Sequence, residues 1–387
     1  MCISRRSLLS GALGIATAGG LAGCVDLAVA AARHESGVHT DLRIGYLPIT
    51  DATPVLIAHG HGFFGNPALS EGSPTMFRSW SSLAEAFLSR QVDVVHLLMP
   101  MAVQIKYALN GRVRVIGWNH TNGSALTVNK SITDIEQLAG SQVAIPFWWS
   151  IHNIVLQKML RARGMIPVIR SAPSKSKREV GLIVMSPPDM LPALATGAID
   201  GYTVADPFNA IAEVKGVGKI HRFLGDAWRD HACCVLMVHE DVIARRPSAV
   251  QELSDSVVNA QILTNKDRTA AGTLLHDRRY LPQPTTAIQK ALTYPAGKYP
   301  TVHPSWASER IGYTPFPYPS YTKTLVQEME STVVDGDRSF LTRIDVDRVH
   351  SDLVDDRFVR ESIRKYGGPT RLGLAANLNR VEEMDYS

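Results

Sequence analysis

His231, Cys233 and Cys234 fall within four positions of one another, and His59 and His61 form a second close pair. Imidazole and thiolate are the side chains that ligate transition metals and act as bases or nucleophiles. A zinc site needs four convergent ligands, usually as two spaced pairs. Neither set supplies that spacing, so no metal and no other cofactor is expected. Adjacent cysteines close only a strained ring on oxidation, so no structural disulfide is expected between Cys233 and Cys234. Gly60-His61-Gly62-Phe63-Phe64-Gly65 fits G-x-G-x-x-G. The dinucleotide fingerprint follows a strand and opens a helix, whereas this stretch follows a predicted helix. It reads as a helix end with a turn. The chain has no G-x-S-x-G, no H-E-x-x-H and no P-loop.

A different chemistry collects in five loops. They are Thr50-Asp51, Trp80-Ser81-Ser82, Asn119-His120-Thr121-Asn122-Gly123-Ser124, Trp148-Trp149-Ser150-Ile151-His152-Asn153 and Asp206-Pro207-Phe208-Asn209. Each sits at a predicted strand end or helix start. Open α/β sheets bind ligands outside the carboxyl ends of their strands. Helix N-termini present unpaired N–H groups that suit anions. Trp offers a flat apolar wall with one N–H donor. Such loops suit a bound ligand at the strand ends.

The elements that must position these loops alternate. Leu42–Leu47 reads as a buried strand and Pro54–His61 as a helix stopped by Gly62. Met76–Trp80 is a further strand candidate, and a helix capped near Ser81 runs to about Arg90. Strands follow at 92–98, 113–118 and 125–128. A second unit begins near 141, with a strand at 142–146 and a helix over 152–163 capped by Ser150 and stopped by Gly164. Another helix opens at Pro187, and a strand covers 199–204. Strands alternating with helices imply an α/β fold with mostly parallel sheets. The units resemble each other: helix, turn, strand and Pro-containing loop recur at an offset of 107 residues, Asp93 and Pro100 corresponding to Asp200 and Pro207. Residues 247–387 read as a helical extension, with helices at 248–264, 269–276, 286–292, 321–334 and 347–365.

Composition bounds the partners. Of 387 residues, 20% are charged and 45% hydrophobic, an ordinary globular mixture. A net charge of +4 is too small for a nucleic-acid binder. Residues 1–24 explain half of that surplus. Arg5 and Arg6, a short Gly/Ala/Leu run and Leu21-Ala22-Gly23-Cys24 read as a bacterial export signal of twin-arginine type, ending in a lipobox whose Cys24 becomes acylated. Removing residues 1–23, which carry no acid, lowers the length from 387 to 364 and the charge from +4 to +2.

Arg43–Pro54, Ile145–Asn153, Val184–Met190 and Asp200–Asn209 together resemble the nitrate/bicarbonate/sulfonate solute-binding proteins of ABC importers. The resemblance covers roughly residues 42–260. It implies a two-lobed periplasmic-binding-protein fold of type II, with helices on both faces of each sheet and a ligand cleft between lobes. The expected organisation is an export signal at 1–23 and a lipidated tether at 24–40. Lobe 1 is expected at 41–136 and 221–387, and lobe 2 at 137–220. The resemblance also implies a small solute held without covalent chemistry, so no enzyme activity is expected. It implies ligand binding at Trp80, Ser82, Ser124, His152 and the Cys234 position, and with the polar loops and His231 the expected set is Thr50, Asp51, Trp80, Ser81, Ser82, Asn119, Thr121, Ser124, Trp149, His152, His231 and Cys234. In the nitrate branch a Lys corresponds to Cys234, so nitrate itself is not the favoured solute. His120, His152 and His231 remain able to hold an anion, and a larger organic solute fits equally well. The implied partners are an ABC permease and its ATPase, with the chain a monomer anchored by Cys24 at the outer face of the cytoplasmic membrane. The alternatives are an enzyme on the same fold, like those that make the thiamine pyrimidine, and a ligand-sensing partner of a membrane receptor.

Overall fold

The computed structural model describes residues 42–387 except 71, 296, 300, 304–305 and 307–309. The export signal, the tether and Cys24 lie outside the described residues. In chain order the strands are β1 (Ile44–Tyr46), β2 (Thr75–Met76), β3 (Val94–Leu98), β4 (Val113–Trp118), β5 (Thr121–Asn122), β6 (Ser124–Asn129) and β7 (Gln142–Ile145). They continue with β8 (Ile166–Val168), β9 (Glu179–Val184), β10 (Gly201–Ala205), β11 (Gly218–Phe223), β12 (Cys234–His239) and β13 (Ile311–Gly312).

Two sheets result, with orders β2-β1-β3-β12-β4 and β11-β6-β10-β7-β9-β8. Each has a parallel part built from βα units. Each also has an antiparallel part, where β12 runs against β3 and β4, and β6 runs against β10 and β11. β12 returns from the second sheet and inserts between β3 and β4, so both crossings of the chain lie at one edge. All six residues of β12 are buried, as a central strand covered on both faces requires. The small pair β5–β13 lies at the crossing.

The sheets divide the chain differently from the expected boundaries at 136/137 and 220/221. β6 already belongs to the second sheet, and β11 carries that sheet to Phe223. The change of sheet occurs at Gly123, whose φ of +81° turns the chain between β5 and β6. A Cβ there would lie 3.0 Å from Asp51 Oδ1, so Gly also leaves room for that carboxylate.

Most elements follow their sequence signals. Ser150 Oγ accepts from Asn153 N and caps the helix Ile151–Ala162. Gly62 and Gly164 take φ of +67° and +66° after their helices, as corresponding stops. Three expectations change. Ser79, not Ser81, is the cap: its Oγ accepts from Ser82 N at 3.2 Å, so the helix Trp80–Leu88 starts early and β2 is only two residues long. The Pro100 loop is a helix, Met99–Tyr107, because Pro in the first turn lacks only an N–H that would be unpaired. The single helix expected over 347–365 breaks into Val349–Leu353 and Arg357–Lys365. Val354 bridges to Val115, and Asp355 N donates to Val115 O, which holds that segment extended.

His239 ends β12 inside the first lobe. Its ring stacks on Phe87 at 3.8 Å and Nε2 donates to Phe87 O at 3.0 Å. Burial, with the Arg90 charge nearby, lowers its pKa to about 4. The unfolded chain protonates this ring near 6.5 while the folded chain does not. Stability from His239 is therefore complete above pH 6.5 and is lost as pH falls toward 4, by about 3 kcal/mol. In urea unfolding at pH 7 and 4.5, His239→Gln is expected to flatten this acid limb. An unchanged limb would show that the ring is hydrated.

Candidate functional site

Thr50 and Asp51 form a short turn beyond β1, directly before the helix Thr53–Gly60. His96 lies in the middle of β3, and Asn119 and His120 follow β4. β12 begins at Cys234, opposite Leu98 of β3, and Val235 faces Trp118 of β4. Because β12 is antiparallel to both, its start lies at the same edge as the ends of β3 and β4. The second sheet contributes Ser124 at the start of β6 and His152 in the first turn of its helix.

Asp51, His96, Asn119, His120, Ser124, His152, His231, Cys233 and Cys234 all have 0% exposure. Asp51 Oδ2 stands 3.0 Å from His120 Nε2 and 3.8 Å from Cys234 Sγ. The two Sγ atoms are 3.5 Å apart, and Cys233 Sγ is 3.9 Å from His152 Nε2. That same Nε2 is 2.9 Å from Ser124 Oγ. Asn119 Nδ2 donates to Asp51 O, and His231 Nδ1 donates to Trp228 O at 2.8 Å.

Burial dominates the electrostatics. It pushes the Asp51 carboxyl up to about 7, against the lowering pull of His120. It acts to lower His120, but the Asp51 charge and hydrogen bond outweigh it and lift the imidazole to about 9. Burial, reinforced by the His120 charge, drops His96 to about 3, and burial drops His231 to about 4. Both are neutral rings at pH 7. Burial alone raises a thiol. At Cys233 it is overcome by the Cys234 hydrogen bond, the His152 charge and bonds to the His120 and His152 rings, so this thiol lies below its usual range. Cys234, buried beside it, lies above.

Several polar atoms here have no protein partner among the described residues. They include Asp51 Oδ1, both His96 nitrogens, Asn119 Oδ1, and Nδ1 of His120 and His152, with Nε2 of His231. Each such buried atom costs about 1–3 kcal/mol unless something else satisfies it. Their concentration at one place calls for an occupant such as water, an ion or a polar solute.

The structure brings together Asp51, Asn119, Ser124, His152, His231 and Cys234 from the expected set. Thr50 sits beside them and spans the lobes, its Oγ1 donating to Asp206 O at 3.1 Å. Thr121 is buried in β5, paired with Gly312. Trp149 is buried edge-on to Phe340 at 5.5 Å and serves packing. Trp80 is buried in the core with Nε1 unpartnered. Ser81 is exposed on the first helical turn, and Ser82 Oγ donates back to Ser79 O at 2.9 Å. The hydrogen bonds of Ser82 are made to Ser79, within the cap. His96 and Cys233 are the additions. A His inside the apolar run Val94–Leu98 was the available signal for the first.

The model of the NMT1-like family matches residues 36–274, well over half of the chain. The nitrate/nitrite binding protein NrtA of Nostoc sp. is 24% identical over 264 residues, covering 62% of this chain and 58% of its own length. The bicarbonate transport ATP-binding protein CmpC of Synechococcus elongatus is 27% identical over 274 residues, 64% of this chain and 39% of its own. This chain thus spans about half the length of these curated relatives. The crystal structure of the periplasmic nitrate-binding protein NrtA from Synechocystis superposes with a TM-score of 0.72 at 19% identity, covering 89% of this chain and 94% of that one. That likeness fixes the architecture as the two-lobed periplasmic-binding-protein fold, and with the family match over most of both lobes, the chain belongs to the NMT1-like family.

Proposed function

We propose that the chain is the extracytoplasmic solute-binding component of an ABC importer, taking a small anion or small organic solute between its two lobes. The observation that carries this reading is the convergence of unpartnered, fully buried polar atoms from both sheets, at the strand edge where the chain crosses between lobes. Relatives named for nitrate and bicarbonate transport support it. The site binds and releases its solute without covalent chemistry and hands it to a permease driven by an ATPase. The Leu21–Cys24 lipobox supports export and anchoring at Cys24, by the twin-arginine signal, with the mature chain a monomer.

The residues gathered at the site include no Lys or Arg, and Asp51 projects into it. A bare nitrate would meet the Asp51 carboxyl, and the His120 imidazolium is already paired with that carboxyl rather than free for the charge-assisted bond a small oxyanion needs. The favoured solutes are those that also present a donor or an apolar body. A ligand that binds only the native state raises the unfolding temperature. A thermal-shift panel of nitrate, bicarbonate, alkanesulfonates, taurine and pyrimidines is expected to show a saturable shift with an alkanesulfonate or an organic solute. The largest shift with nitrate would overturn the specificity, and no shift with any member would overturn the solute class.

A further inference from the structure

A carboxylate oxygen of Asp51, a ring nitrogen of His120 and the Sγ atoms of Cys233 and Cys234 all lie within 4.8 Å of one another, and all four residues are buried. We propose that these four side chains form a metal site for a thiophilic divalent cation of the zinc class.

The spacing fits tetrahedral coordination. Bonds of about 2.3 Å to sulfur and about 2.1 Å to nitrogen or oxygen give S···S edges of about 3.8 Å, S···O edges of about 3.6 Å and N···O edges of about 3.4 Å. The corresponding separations are 3.5 Å between the sulfurs, 3.8 Å from Cys234 Sγ to Asp51 Oδ2, and 3.0 Å from His120 Nε2 to Asp51 Oδ2. Small side-chain adjustments close these differences. Two thiolates with one imidazole select a soft or borderline ion over magnesium or calcium, which take oxygen ligands.

Second observations point the same way. Asp51 Oδ1 and His120 Nδ1 are buried and lack protein partners among the described residues. His120 Nε2 faces both the Asp51 carboxylate and the Cys234 N–H, at 3.0 and 3.2 Å. A nitrogen cannot donate to the first and accept from the second at once. The backbone is also held around the ligands: Asn119 Nδ2 donates to Asp51 O, and Met99 N donates to Cys233 O at 2.9 Å. Such supports orient ligands before an ion arrives. All four ligands sit at one edge of the first sheet, so the site does not need the second lobe. His152 of the second lobe approaches Cys233 and covers it.

This inference goes beyond the solute reading and stands on first-lobe residues alone. The test uses purified protein kept reduced and stripped with a chelator. Zinc is titrated against a chromophoric chelator, and cobalt(II) is added separately for its spectrum. One equivalent of zinc is expected, with a thiolate-to-cobalt charge-transfer band in the near ultraviolet. Cys234→Ser and His120→Asn are each expected to weaken zinc about 100-fold or more, while His61→Asn on the exposed surface leaves it unchanged. Should these variants not fold, the stoichiometry and cobalt spectrum of the unaltered protein decide the matter. Absence of stoichiometric zinc, a cobalt spectrum without thiolate bands, or full affinity in a folded Cys234→Ser variant would overturn the site. The solute panel, run on the same stripped protein, separates the two readings. A solute shift without zinc binding overturns only the metal site, and zinc binding without a solute shift overturns only the solute class.

Discussion

Asp226→Ala is expected to lower stability by about 3–5 kcal/mol, the cost of leaving one buried charge without its partner. Asp226 lies in the short turn Leu224–Asp226 after β11, with its side chain 1% exposed against 9% for Arg222. Arg222 Nε donates to Asp226 Oδ2 at 2.8 Å, and Nη2 donates to Asp226 O at 3.0 Å and Asp385 O at 2.8 Å. The same carboxylate accepts from Val302 N and His303 N at 2.8–2.9 Å through Oδ1. The ion pair thus ties three parts together: Asp226 joins the second sheet to the 302–303 segment, and Arg222 joins it to the C-terminal tail. Alanine would leave Arg222 with carbonyls alone and would orphan two backbone N–H groups. Asp226→Asn keeps the shape and one acceptor and is expected to lose less than half as much. In urea unfolding the midpoint should fall with little change in slope. A loss below about 1 kcal/mol would mean that water reaches Arg222, as at surface pairs. The double change of Arg222→Met with Asp226→Ala should cost less than the sum of its parts, because the stranded charge is then gone.

The fold was largely written in local signals, and the site was not. β4 and β7 were legible because apolar runs end at polar or Pro residues. Ser150 and Gly164 marked their helix exactly where a cap oxygen and a positive φ are needed. The Ser79 cap was missed because Ser81 and Ser82 carry the same chemistry, and only backbone geometry distinguishes them. The passage from the first sheet to the second at Gly123 is not legible, because composition does not record which sheet a strand joins. Asp51 and His152 belong to the polar loops at strand ends and helix starts, whereas Cys234 enters through the resemblance and His231 through its closeness to the cysteine pair. Their relation to one another was hidden. Asp51, His120 and the cysteine pair are separated by dozens of residues, and only the antiparallel insertion of β12 brings the pair to the edge that carries the other two. Ligand spacing in sequence is informative for sites built within one hairpin or helix. It says little about a site assembled across a sheet.

Asp206→Asn is expected to stabilise the protein at pH 8 by up to about 4 kcal/mol, and to change little at pH 4. Asp206 ends the strand β10 in the second lobe, where its backbone joins the lobes. Its carbonyl accepts from Thr50 N at 2.8 Å, and its N–H donates to Gly123 O at 3.0 Å. Oδ1 accepts from Tyr294 OH at 2.9 Å and from Ala210 N at 3.2 Å. Burial pushes this carboxyl up to about 7, and the two donors only partly offset it. The unfolded chain ionises near 3.9, so between about pH 4 and 7 the folded chain holds a proton that the unfolded chain has released. Stability therefore falls as pH rises through that window and levels off above it. Asn is neutral throughout and can accept from the same Tyr294 and Ala210 donors, so the variant escapes the loss. Urea unfolding of both proteins at pH 4, 6 and 8 reads the effect. A stability difference between the two proteins that stays constant across pH would show that Asp206 is not the titrating group.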